Sequence, residues 1–174
     1  MTKTTERDGR LEPVGDDWQI RFTRPLAHSP EKVWRALTDP EHRQAWFPDT
    51  SIGDFTTVGA QLRFEYSAGN FDGEVLAVDP PKLLELRWGT DILRFELRPD
   101  GAGTLFVFSD TITEQGKGAR DTAGWHVCFD LFESALDGTS PGDNPDWPTL
   151  NRMYADRFGA DASTMGPPEG HPSD

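Results

Sequence analysis

Apolar and polar residues alternate at Trp18, Ile20 and Phe22, the pattern of a half-buried strand. Ser29-Pro30-Glu31 then supplies a helix cap, a proline at the first helical position and an acid in the first turn. Val33, Trp34 and Leu37 form the apolar stripe of that short helix. Asp39-Pro40-Glu41 repeats the start signal and leads to Trp46, so two short helices are predicted in succession.

From Ser51 to Ile112 the period changes to two. Leu62, Phe64 and Tyr66 alternate with Arg63 and Glu65; Leu84, Leu86 and Trp88 alternate with Glu85 and Arg87. Leu93, Phe95 and Leu97 repeat the pattern. Turn signals separate the runs at Ala68-Gly69-Asn70, Asp79-Pro80-Pro81, Gly89-Thr90-Asp91 and Pro99 to Gly103. Links this short predict antiparallel neighbours, with one face of the sheet covered and the other wet. Helical spacing returns from Asp121 to Asp137, where Trp125, Phe129, Phe132 and Leu136 share a face with Cys128, and Gly138 marks the stop. A Pro-rich link, Pro141 to Pro148, precedes a shorter helix striped by Leu150, Met153, Tyr154 and Phe158. The fold class is α+β, with the long helix as lid on the apolar face of the sheet.

A chain of 174 residues predicts one domain. It is placed at residues 17–158, with residues 1–16 and 159–174 expected as disordered tails too poor in apolar content to order. The net charge is -13, and the two ends carry only four of those excess negative charges. Such a body repels phosphate backbones and anionic lipid surfaces, so neither nucleic acid nor membrane is expected as partner. Cys128 is the single cysteine, which forbids an intrachain disulfide. No apolar leader or span is visible, and a cytoplasmic protein is expected.

The order of elements resembles the helix-grip fold of the START and birch-pollen-allergen superfamily. The residues Ser29 to Pro40 are similar to its first-helix signature, and Gly73-Glu74-Val75 with Val78-Asp79-Pro80-Pro81 to its mid-sheet pattern. Gly103-Thr104, Gly124-Trp125 and Tyr154 to Gly159 resemble the branch named after the activator of the 90-kilodalton heat-shock protein's ATPase. The likeness runs from about Trp18 to Gly159. It implies a curved antiparallel sheet around a long C-terminal helix, with a cavity between them. It does not choose among the superfamily's ligand carriers, cyclases, hydrolase-like enzymes and stress-response proteins.

Catalytic motifs are missing from the sequence. Of His28, His42, His126 and His171, none forms a metal-binding pair at helical spacing, and no cofactor is expected. His126 lies one turn before Asp130, a flank position with an i, i+4 partner. Cys128 lies on the apolar stripe, where a thiol behaves as a small hydrophobe. What stands out is the aromatic stock of 6 Trp and 11 Phe. Trp46, Phe64, Tyr66, Trp88 and Phe95, with Phe108, Trp125 and Phe129, are candidates for a ligand-binding wall or, equally, for a solid core. Asp110 joins them if Phe106 and Phe108 face inward, the register that the resemblance favours; a one-residue slip would exchange the faces. That register turns Leu105 and Val107 outward near Ile92, a patch expected to support a homodimer. The reading is a binder of a small hydrophobic molecule. The alternatives are a cyclase- or hydrolase-like enzyme using Asp110 and His126, and a chaperone-associated stress-response protein.

Overall fold

In the computed structural model, residues 6–67 and 69–166 are described. Strand β1 (Arg10–Val14) and strand β2 (Asp17–Leu26) precede helices α1 (Pro30–Thr38) and α2 (Pro40–Arg43). Strands β3 (Thr50–Ile52), β4 (Gln61–Tyr66), β5 (Gly69–Asp79), β6 (Leu83–Trp88), β7 (Asp91–Asp100) and β8 (Gly103–Ile112) follow. Helices α3 (Gly118–Asp137) and α4 (Trp147–Phe158) complete the order. The strands form one antiparallel sheet in the order β1-β2-β8-β7-β6-β5-β4-β3, gripping α3 as the helix-grip fold requires.

Local chemistry sets the helix ends. The Ser29 hydroxyl accepts from the Lys32 N–H at 3.3 Å and the Asp39 carboxylate from the Glu41 N–H at 2.9 Å, each ahead of a proline. Gly138 ends α3 with φ of +68°, a left-handed conformation that glycine adopts without steric cost. On α3, Trp125, Phe129, Phe132 and Leu136 are buried against the sheet, while Ala119 and Ala123 pack beneath Leu150 and Tyr154 of α4. The long helix is therefore covered on two sides.

The ends depart from expectation. Residues 10–14 are not a tail: they pair with β2 from Arg10 opposite Arg21 to Val14 opposite Asp17, and Leu11 packs against the core. An edge strand needs few apolar residues and tolerates Pro13, so composition hides it. Beyond α4, Ala162 is fully buried and the Met165 N–H donates to the Gly116 carbonyl at 3.1 Å, so this stretch is not a loose tail either. Residues 1–5 and 167–174 of the expected tails, and Ala68 of the expected turn, lie outside the described residues. Helix α3 begins at Gly118, a turn before Asp121, and Gly69 and Asn70 belong to β5.

The register of β8 is the expected one. Phe22 opposes Phe108 and Ile20 opposes Asp110, and Phe106, Phe108 and Asp110 are all buried inward. On the outer face Val107 lies between Thr23 and Glu96 and is only 7% exposed. Arg94, paired with Glu85 at 2.9 Å and Glu96 at 2.8 Å, separates Leu105 and Val107 from Ile92.

Candidate functional site

A cleft of about 490 Å³ opens between the sheet and the first turns of α3, within the ~300–1,000 Å³ usual for small-molecule sites. Strand ends build its apolar wall: Tyr66 closes β4, Phe71 is the third residue of β5 and Trp88 closes β6. Trp125 enters from α3 and Trp147 from the first turn of α4. The Trp88 and Trp125 ring centroids lie 5.3 Å apart, and Phe71 meets Trp88 edge-on at 5.5 Å. Gly124 leaves the helix side open, since a Cβ added there would meet nothing within 4 Å.

Of the nine residues expected in a wall, Tyr66, Trp88 and Trp125 line this cleft. Trp46 lines a second, smaller one of about 360 Å³, between α1, α2 and the end of α3. Phe64, Phe95, Phe108 and Phe129 sit in filled core instead. Phe108 shows why: its ring centroid is 4.7 Å from Trp125, 4.8 Å from Phe129 and 5.1 Å from Phe95. Interlocked rings leave no void there. Asp110 lies behind the wall, accepting from the Trp125 indole N–H at 3.0 Å.

The polar half of the cleft was not among the expected residues. Asp49, in the loop after α2, accepts from the Trp88 indole N–H at 2.8 Å. Lys117 meets Asp91 at 3.3 Å, and Arg120 meets Asp121 at 2.7 Å. Asp91, Asp110 and Asp121 each offer one oxygen within 4.8 Å of the others, the one group of potential metal ligands found among the described residues. Lys117 and Arg120 already neutralise two of those three charges. Burial, then the charges of Asp91 and Asp121, raise the Asp110 pKa well above the ordinary carboxylate value and favour its protonated form. A proton on its otherwise unpartnered Oδ1 can be given to Asp91. Burial also raises Asp121 despite Arg120, and raises Asp49 to about 6 against the Trp88 hydrogen bond.

One signal for this acid floor was present in the sequence. The inward alternation of Leu93, Phe95 and Leu97 extends back to Asp91, which is 4% exposed. Nothing in residue spacing marks Asp49, Lys117 or Arg120: Asp49 comes from a loop to meet Lys117 and Arg120 at the start of α3.

Cys128 is buried and its thiol is pushed up to about 12, chiefly by burial, so it has no nucleophile's character. His126 keeps its expected partner, Asp130, at 3.4 Å, and its Nδ1 contacts the Tyr154 hydroxyl at 2.7 Å. His126 and Asp110 thus have separate partners, and neither lines the cleft.

The acid shifts have a definite sign for stability. Because the folded-state pKa of Asp49 is raised, its ionisation weakens the fold as pH rises from the ordinary 3.8 through about 6. The stability advantage of Asp49→Asn over the natural chain should therefore grow across that interval and then level off. Parallel denaturation curves measure it; a pH-independent difference would show that Asp49 is fully solvated.

A family model described as Activator of Hsp90 ATPase homolog 1-like protein matches residues 27–137. No curated protein matches the chain. Among solved structures, a conserved protein of unknown function from Enterococcus faecalis, EF2215, is 22% identical with a TM-score of 0.73, over 86% of this chain and 90% of that one. CalU16 from Micromonospora echinospora is 22% identical with a TM-score of 0.69, over 89% and 94%. DynU16, a protein in the dynemicin biosynthetic locus, is 25% identical with a TM-score of 0.63, over 71% of this chain and 49% of its own.

Proposed function

Because the chain belongs to the Activator of Hsp90 ATPase homolog 1-like family, we propose that it is a small-molecule binder whose ligand is mostly apolar. The observation that carries this reading is the cleft itself: an unfilled space of about 490 Å³ with three tryptophans in its wall, beside a core of interlocked rings around Phe108 and Phe129. The fold alone selects no activity, since function resides in sites. The likeness to DynU16, a protein of a biosynthetic locus, fits a small-molecule ligand. The single buried thiol suits a reducing cytoplasm.

Burying ~200 Å² of apolar ligand surface at ~25 cal/mol per Å² contributes ~5 kcal/mol before the cost of association. Affinity for a purely apolar ligand is then micromolar or weaker. A second reading, a cyclase- or hydrolase-like enzyme, draws support from Asp49 and Asp121, cleft acids whose raised pKa suits proton donation. Against it, the Thr90 hydroxyl reaches the Asp91 carboxylate only at a marginal 3.5 Å, and Lys117 already engages the same oxygen.

Gly124→Leu provides the test. The side chain grows into open cleft, and leucine favours a helix by up to ~1 kcal/mol over glycine, so the fold should hold. Titration with neutral two- and three-ring aromatics should change tryptophan emission and saturate, and Gly124→Leu should abolish the response with no drop in melting temperature. Absence of saturable binding to the natural chain, or undiminished binding to the variant, would refute the proposal.

A further inference from the structure

We infer that the cleft takes an organic cation: a ring-bearing apolar body carrying a protonated amine, with the ammonium seated on Asp49. This rests on the ligand-binding reading above and adds the charge class of the ligand. The cleft wall holds three carboxylates, Asp49, Asp91 and Asp121, but two cations, Lys117 and Arg120. Each cation is engaged, Lys117 with Asp91 at 3.3 Å and Arg120 with Asp121 at 2.7 Å. Asp49 is the acid left over. One of its oxygens accepts from the Trp88 indole, and the other has no hydrogen-bond partner among the described residues.

A half-buried carboxylate lacking a cation leaves the cleft one positive charge short. Its surroundings suit a particular kind of cation. Trp88, whose indole N–H it accepts, has Phe71 at 5.5 Å and Trp125 at 5.3 Å between ring centroids, and aromatic faces attract ammonium groups that approach out of bulk water. An inorganic cation would leave those faces unused. An anionic ligand would meet three acids and find both basic groups already engaged. The net charge of -13 raises the local concentration of cations around the whole molecule and favours their capture. Asp49 titrates at about 6, so the site carries its charge at neutral pH.

The experiment is calorimetric titration of the full chain at neutral pH with three probes of one ring system: naphthylmethylamine, which is protonated, naphthylmethanol, which is neutral, and naphthoate, which is anionic. The amine should bind about ten-fold or more tightly than the alcohol, a factor within reach of one ion pair and one ring contact, and naphthoate should be weakest. Asp49→Asn, checked for an intact melting transition, should shrink the amine-to-alcohol ratio to about two-fold or less. Equal binding of amine and alcohol to the natural chain, blocked by Gly124→Leu, overturns the charge inference and leaves the ligand-binding reading standing. An unchanged ratio in Asp49→Asn overturns it too. If none of the three probes binds, the ligand-binding reading falls with it.

Discussion

Replacing Phe129 with alanine should lower the free energy of unfolding by about 3–5 kcal/mol, the range for removing a large aromatic from a packed core. The ring is fully buried on the sheet-facing side of α3. It touches the rings of Phe22 at 5.2 Å, Phe106 at 5.2 Å, Phe108 at 4.8 Å and Trp125 at 5.7 Å between centroids. It therefore links β2, β8 and the helix across the centre of the grip. None of those rings can collapse into the hole without losing contacts of its own, so the residual cavity adds to the lost transfer energy. A domain has ~5–15 kcal/mol of stability in total, and the variant should approach marginal folding. Urea denaturation with an unaltered slope checks it. A loss below ~1 kcal/mol would mean that α3 does not seat this face on the sheet.

Arg24→Leu should be nearly as damaging, at about 3–5 kcal/mol, for an electrostatic reason. Arg24 lies on the inward face of β2, opposite Phe106, and is 1% exposed. Its Nη1 donates to Asp130 and to Glu133, each at 2.8 Å, and its Nε donates to the Arg7 carbonyl at 3.2 Å. Removing it leaves Asp130 to His126 and Glu133 to the more exposed Arg7, two carboxylates of α3 short of their buried cation, and takes one hydrogen bond from the chain leading into β1. Burial works to raise the Asp130 pKa, but His126 and Arg24 prevail and hold it below the ordinary value. Asp130 thus contributes stability above pH ~4 that is lost as pH falls through its folded pKa. The variant's deficit should accordingly be largest near neutral pH and shrink in acid. Arg24→Lys, which keeps the charge and loses the fork, should fall between the two. A deficit that is small or independent of pH would assign the buried guanidinium a packing role only.

These two residues illustrate what could and could not be read beforehand. Phe129 announced itself, because Trp125, Phe129, Phe132 and Leu136 recur at helical spacing and such a stripe must be buried by something. Arg24 did not. An arginine two positions beyond Phe22 is an ordinary strand residue until α3 brings Asp130 and Glu133 to it from more than a hundred residues away. The same holds for β1, whose single inward residue Leu11 makes no pattern by itself.

The sequence alone determined the element types from β2 inward, though not β1, the antiparallel sheet, the long helix on its apolar face and, through its family resemblance, the helix-grip arrangement and the register of β8. Periodicity and caps are local properties, written within a few residues of where they act. Which aromatics fill the core and which leave a cleft was decided only in three dimensions. Phe64, Phe95, Phe108 and Phe129 have the same spacing signals as Trp88 and Trp125, and only their distance from the open end of the grip separates them. The acid floor is likewise tertiary: Asp49, Asp91, Asp110, Lys117, Arg120 and Asp121 come from a loop, two strands and the turns that open α3. Their charges acquire meaning only where burial makes an unpaired carboxylate costly, and that is set by what surrounds a residue rather than by its neighbours along the chain.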